Sequence, residues 1–151
     1  MKKLLLSLAL VASGFAITGC MTPEITTEMQ AKIEMAQQTG KYQNYSAAAV
    51  ENIKGKNPYV LFFHADWCGT CVNWEQKIVA AIDSLPANTK IFKINYDSEA
   101  KNFGVNSQST ALFFDETGAQ VNSLLDPSVA IIKDVFNNKT GTGETETDGD
   151  N

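Results

Sequence analysis

The chain has 151 residues, 44% of them hydrophobic and 19% charged, with a net charge of −5. That length suits one domain able to bury a proper core, and the composition excludes a wholly disordered or fibrous chain. There is no arginine, and the lysines are scattered along the sequence, so no phosphate-binding stripe is present and no nucleic-acid partner is expected.

Lys2 and Lys3 precede an uncharged apolar run over residues 4–17. The run is too short for a permanent membrane-spanning helix and has the form of an export leader. It closes on Ile17-Thr18-Gly19-Cys20, which resembles the lipobox of bacterial lipoproteins. The resemblance implies cleavage after residue 19, a lipid on Cys20, and a place in the bacterial cell envelope on the extracytoplasmic side, periplasmic where there are two membranes. Met21 stands where an aspartate would signal inner-membrane retention, which implies the outer membrane. Competing readings are a plain secretory leader with an incidental Cys20, or an uncleaved anchor.

Residues 20–40 are then a spacer, polar but with Met29, Ile33 and Ala36 at the spacing of a short helix. Residues 42–45 suit a short edge strand, and Ser46 is a candidate N-cap for an alanine-rich helix reaching Ile53. The aromatic and β-branched run over 59–64 predicts a central strand buried on both faces. From Cys68 to Leu85 the pattern predicts a helix with Val72, Ile78, Val79, Ile82 and Leu85 on its apolar face, stopped by Pro86. Residues 90–96 alternate like a strand, and 97–103 suggest a short helical crossover. A strand over 110–114, the turn Asp115-Glu116-Thr117-Gly118 and a strand over 119–124 form a hairpin pattern. Asp126-Pro127 reads as a cap and first helical residue, opening a last helix through Val129, Ile132, Val135 and Phe136. Beyond Lys139 only Thr, Gly, Glu, Asp and Asn remain, an acidic tail expected to be disordered. The expected organisation is a leader over 1–19, a spacer over 20–40, a domain over 41–138 and a tail over 139–151. Its element order predicts an α/β fold with a mixed sheet flanked by helices.

Of three cysteines, Cys20 is assigned to lipid, leaving Cys68 and Cys71. A pair so close in sequence closes almost no loop and is a poor staple, so it is better read as chemistry. Thiol–disulfide exchange needs a thiolate to attack a sulfur and a second thiol to resolve the mixed disulfide. A helix N-terminus lowers the pKa of a cysteine placed there, and the second cysteine lies one turn later. Cys68 is therefore the expected exposed nucleophile and Cys71 the buried resolving thiol.

Trp67-Cys68-Gly69-Thr70-Cys71 behind a hydrophobic strand resembles the thioredoxin family over roughly residues 42–136, and Ala65-Asp66-Trp67-Cys68 resembles its envelope reductase branch. The resemblance implies a thioredoxin-like fold and a dithiol–disulfide oxidoreductase with no cofactor beyond the cysteine pair and no metal. It also implies protein disulfides as substrates and a membrane-embedded thiol electron donor; a monomer is expected. Trp67, Gly69, Thr70, Ser109 and Thr110 become supporting residues of the site. Three positions depart from the family pattern. Ser109 stands where the family has a cis-proline before Thr110, and a cis bond would cost serine about 3 kcal/mol. Phe62 replaces a buried aspartate, so the usual proton acceptor for the resolving thiol is missing. Val72 replaces a lysine.

No histidine lies between the cysteines, which favours a reductase or isomerase over a strong oxidant. His64, the one histidine, is a candidate proton relay or, more simply, a strand-end side chain. Asp66 is expected to be exposed beside the site, and Trp67 to shield the disulfide and form docking surface. Two other functions compete. Two thiolates with His64 could hold Cu(I) or Zn(II), or the domain could be an envelope interaction module with a permanently oxidised pair.

Overall fold

The computed structural model describes residues 26–138. The expected leader, the lipidated Cys20 and the acidic tail lie outside the described residues. Within them the order is α1 (Thr27–Gln38), β1 (Tyr42–Asn44), α2 (Ala47–Ile53), β2 (Tyr59–His64), α3 (Gly69–Ala80), β3 (Ile91–Asn95), α4 (Tyr96–Glu99), β4 (Thr110–Phe114), β5 (Gln120–Leu125) and α5 (Val129–Asn138). Short 3-10 turns follow α3 at Ile82–Ser84 and α4 at Ala100–Phe103.

The strands form one mixed sheet in the order β1-β3-β2-β4-β5. β1, β3 and β2 run parallel, whereas β4 pairs antiparallel with β2 and β5 antiparallel with β4. This is the α/β architecture expected. β2 is central, and all six of its residues are buried, as its unbroken apolar run requires. Its alternation divides the core. Val60 and Phe62 pack with Trp74, Ile78 and Ile132 from α3 and α5. Leu61 and Phe63 pack on the opposite face with Val50 of α2, Ala100 and Val105. Phe62 and Trp74 stack with ring centroids 3.9 Å apart, and the Trp74 indole N–H donates to the Pro127 carbonyl at 2.6 Å. α3 is thereby fixed against both the central strand and the entry to α5.

The segment expected as a spacer contains part of the fold. Thr26 caps α1 by accepting from the Met29 amide at 3.3 Å, and Ile33 and Ala36 are buried in the same core as α3. Two helix boundaries also differ from expectation. α3 stops at Ala80 rather than Leu85, because the Ala81 amide is shared between the Lys77 and Ile78 carbonyls, a tightening into 3-10 geometry. The Lys41 ammonium donates to the Ile82 and Leu85 carbonyls at 3.1 and 2.7 Å. At the other end of the fold, Asp126 has φ +47 and does not cap α5. That role falls to Ser128, whose hydroxyl accepts from the Ile131 amide at 3.3 Å, so Pro127 precedes the helix.

Candidate functional site

β2 ends at His64, and α3 begins five residues later at Gly69. Cys68 is the N-cap of α3, with extended backbone at φ −92 and ψ 104. Its amide donates to the Ala65 carbonyl at 3.0 Å, and its carbonyl accepts the first helical bond from Val72 at 3.1 Å. Cys68 and Cys71 are joined as a disulfide with Cα atoms 5.3 Å apart. The Cys71 amide donates to the Cys68 sulfur at 3.2 Å. One of the otherwise unpaired amides at a helix start thus points at the sulfur that would carry negative charge after reduction.

Cys68 was expected to be exposed, and it is not. In the disulfide form it is 5% exposed and Cys71 is 0% exposed. The Cys68 sulfur turns back over the helix start to meet both Cys71 and its amide. The asymmetry nonetheless runs in the expected direction, since Cys68 alone of the two retains accessible surface. Gly69 and Thr70 between them are exposed, and Trp67 is 59% exposed. The Trp67 ring is held by its N–H, which donates to Asp97 at 3.0 Å, so a flat apolar surface stands beside the disulfide.

Ser109 has φ +65, in the left-handed region, and no cis peptide bond occurs among the described residues. Its amide, which proline would lack, donates to the Phe63 carbonyl at 2.9 Å, and its carbonyl accepts from Asp126 at 3.0 Å. Both backbone groups extend the sheet where β4 begins. The Ser109 hydroxyl is buried without a hydrogen-bond partner. Thr110 follows half-buried, its hydroxyl donating to the Ser107 carbonyl at 2.7 Å.

Sequence reasoning missed Glu75. It lies four residues beyond Cys71 on the buried face of α3 and is 1% exposed. The Tyr42 hydroxyl donates to it at 2.8 Å, and the Lys93 ammonium bonds both of its carboxylate oxygens at 3.1 Å. The His64 Nε2 lies 3.2 Å from Glu75 Oε2, but makes no hydrogen bond of good geometry to it. Burial by itself would raise the Glu75 pKa. His64, Lys93 and Tyr42 together outweigh it and bring the value down to about 2. Tyr42 moves the opposite way: its burial and the neighbouring Glu75 charge push its hydroxyl well above its ordinary range. The signal in the sequence was a charged residue placed among Val72, Ile78 and Val79 on the apolar face.

On its other side, His64 Nδ1 lies 3.4 Å from a carboxylate oxygen of Asp66, whose side chain is 92% exposed. The ring is itself buried, at 2% exposure. It faces carboxylates at both nitrogens, which leaves it poorly placed to join the two sulfurs in holding Cu(I) or Zn(II). Among the described residues no group of three or more His, Cys, Asp or Glu is placed to hold a metal ion. A polar cavity of about 380 Å³ opens at the carboxyl ends of β1, β2 and β3, lined by Asn44, His64, Asp66, Lys93, Asn95 and Glu99 among others.

A family model described as thioredoxin matches residues 38–129. No curated protein gives a significant match. Among solved structures, Trxlp from Edwardsiella tarda is 24% identical with a TM-score of 0.52, covering 63% of this chain and 97% of its own. A mutant thioredoxin from Halobacterium salinarum is 22% identical with a TM-score of 0.55, over 67% of this chain and 93% of its own. Schistosoma mansoni thioredoxin is 17% identical with a TM-score of 0.53, over 66% and 96%. These structures share the fold. Together with the family match and the close cysteine pair at a helix start, they establish that the chain belongs to the thioredoxin family, with a disulfide centre suited to thiol–disulfide exchange.

Proposed function

We propose that the protein is a lipid-anchored, extracytoplasmic thiol–disulfide oxidoreductase that reduces or isomerises protein disulfides. Cys68 is the nucleophile and Cys71 the resolving thiol. The observation that carries this reading is the Cys71 amide aimed at the Cys68 sulfur at the start of α3. When the pair is reduced, that amide and the helix dipole stabilise a thiolate on Cys68. The thiolate attacks a substrate disulfide and expels one substrate thiolate, leaving a mixed disulfide on Cys68. Cys71 then loses its proton, attacks the Cys68 sulfur and releases the second substrate thiolate. Two electrons pass from the cysteine pair to the substrate.

Exposed Trp67 supplies an apolar surface for a protein substrate. The absence of any charged residue between the cysteines favours the reducing direction, because nothing between them further stabilises the thiolate form. The lipobox-like run ending at Cys20 supports attachment through lipid to an envelope membrane on its extracytoplasmic side. A reductase there requires an electron supply, so its partner is a membrane-embedded thiol donor. The protein acts as a monomer. Mixing it with a disulfide-bonded protein and a thiol source should give turnover that is lost in Cys68→Ser. Equal turnover in that variant would remove the assignment.

A further inference from the structure

Asp66 joins the polar cavity to the disulfide. The Cys68 amide donates to the Ala65 carbonyl at 3.0 Å, closing a turn with Asp66 and Trp67 at its corners. Asp66 is two residues before Cys68, so their Cα atoms are at most about 7 Å apart. The Asp66 side chain is 92% exposed and lines the cavity with Asn44, His64, Lys93, Asn95 and Glu99. The cavity's volume of about 380 Å³ falls at the small end of ligand sites. Lys93 bonds both oxygens of Glu75, which offsets its charge. Glu99 accepts from the Asn102 side-chain amide at 3.1 Å, a neutral donor. Among the described residues no lysine pairs with Asp66 or Glu99, so the cavity keeps two uncompensated negative charges.

His64 shows what kind of group the cavity favours. The ring is 2% exposed, and its Nε2 is enclosed with no hydrogen bond of good geometry. The edge that meets the cavity is therefore the one bearing Nδ1, 3.4 Å from Asp66 Oδ1. A neutral imidazole has one donor and one acceptor nitrogen. Attraction is stronger toward buried Glu75 than toward solvated Asp66, which places the ring hydrogen on Nε2. The Nδ1 lone pair and the Asp66 oxygen are then two acceptors side by side, and a positively charged N–H donor serves both. A bare metal ion is not favoured, since no group of three or more His, Cys, Asp or Glu among the described residues is placed to hold one.

Resting on the exchange reading above, we propose that this cavity is a specificity site for a lysine or arginine side chain of the substrate polypeptide, lying near the substrate's disulfide. Asp66 and Glu99 supply the charge that attracts the ammonium or guanidinium. His64 and Asn95 supply neutral acceptors; the Asn95 oxygen accepts from the Ser98 amide at 3.0 Å and keeps a second lone pair. The bound cation holds the substrate beside the Asp66-Trp67 turn and brings its sulfur toward Cys68. Disulfides flanked by basic residues are reduced in preference.

The test uses disulfide-looped peptides that differ only in whether lysine, glutamine or glutamate flanks one cysteine. Reduced protein is mixed with each peptide, and the second-order rate of reduction is read by mass spectrometry after acid quench. Each rate is divided by that of dithiothreitol on the same peptide, which removes differences in intrinsic reactivity. The lysine peptide should react about 10-fold faster than the glutamine peptide, and the glutamate peptide slowest, as charge-assisted bonds at a half-open site allow. The lysine advantage should shrink in about 1 M salt, where exposed charges are screened. Asp66→Asn and Glu99→Gln should each cut the lysine-to-glutamate ratio about 3-fold, and Glu99→Lys should cut it further. Glu34→Gln removes the same charge from an exposed position on α1 and should leave the ratio where it was. Equal normalised rates for the lysine and glutamate peptides overturn the site while exchange stands. So does a ratio unmoved in both Asp66→Asn and Glu99→Gln, or one that falls as far in Glu34→Gln. Failure to reduce any of the peptides overturns the exchange reading itself.

Discussion

Lys93 on β3 holds both carboxylate oxygens of Glu75 on α3 at 3.1 Å, joining the sheet to the helix that carries the disulfide. Glu75 is 1% exposed, so removing its cation leaves a buried charge without its main partner. Breaking such a pair from one side typically costs about 3 to 5 kcal/mol. Lys93 retains some exposure, and Tyr42 and His64 remain, so Lys93→Met should cost about 2 to 3 kcal/mol by urea denaturation. Adding Glu75→Gln to Lys93→Met should recover part of that loss, and a double variant no more stable than the single one would contradict the pairing.

The same carboxylate makes stability depend on acid. Its folded pKa of about 2 lies below its ordinary value of 4.5. A depressed folded value contributes stability that is fully present above the unfolded value and is lost as pH falls through the folded one. Stability should therefore decline between about pH 4.5 and 2 from this group. In Glu75→Gln that part of the decline should be absent in urea midpoints taken across the window. An identical acid profile in the variant would show that Glu75 is not held ionised.

That residue also marks what was and was not readable from sequence. The apolar run of β2, the capped helix after Ser46 and the hairpin around Gly118 follow from local pattern and turn chemistry, and each formed where expected. Glu75 was invisible to the same logic because its partners, Tyr42, His64 and Lys93, come from three different strands, and only the parallel order β1-β3-β2 brings them together. α1 was read as a spacer because its surface is polar, although two small contacts, Ile33 and Ala36, suffice to seat it on the core. α3 ended early because the chain tightens into 3-10 geometry at Ala81, and Lys41, distant in sequence, caps the carbonyls of Ile82 and Leu85 beyond it.

Ser109 provides a test of backbone strain. A non-glycine residue in the left-handed region costs roughly 1 to 2 kcal/mol. Ser109→Gly should therefore raise stability by about 1 kcal/mol, a glycine's greater unfolded-state freedom offsetting part of the relief. Ser109→Pro, which installs the family residue, removes the amide bonded to the Phe63 carbonyl and demands negative φ. It should lose about 3 kcal/mol or more by the same measurement. A proline variant as stable as the parent would mean that this segment rearranges freely.

Trp74 links α3 to both β2 and Pro127. Trp74→Phe keeps the stack on Phe62 but strands the buried Pro127 carbonyl, for an expected loss of about 1 to 3 kcal/mol. Trp74→Ala should lose about 3 to 5 kcal/mol. Equal losses in the two variants, read from thermal or urea unfolding, would show that the hydrogen bond rather than the ring fixes the helix.

The most direct test of the exchange chemistry is covalent trapping. With Cys71 changed to Ser, a protein disulfide offered to the reduced variant should remain bound to Cys68 as a mixed disulfide, identified by mass spectrometry after acid quench. With Cys68 changed to Ser, no adduct should form on Cys71, which lies fully buried. Adducts on Cys71, or none in either variant, would contradict the assignment of Cys68 as the attacking sulfur.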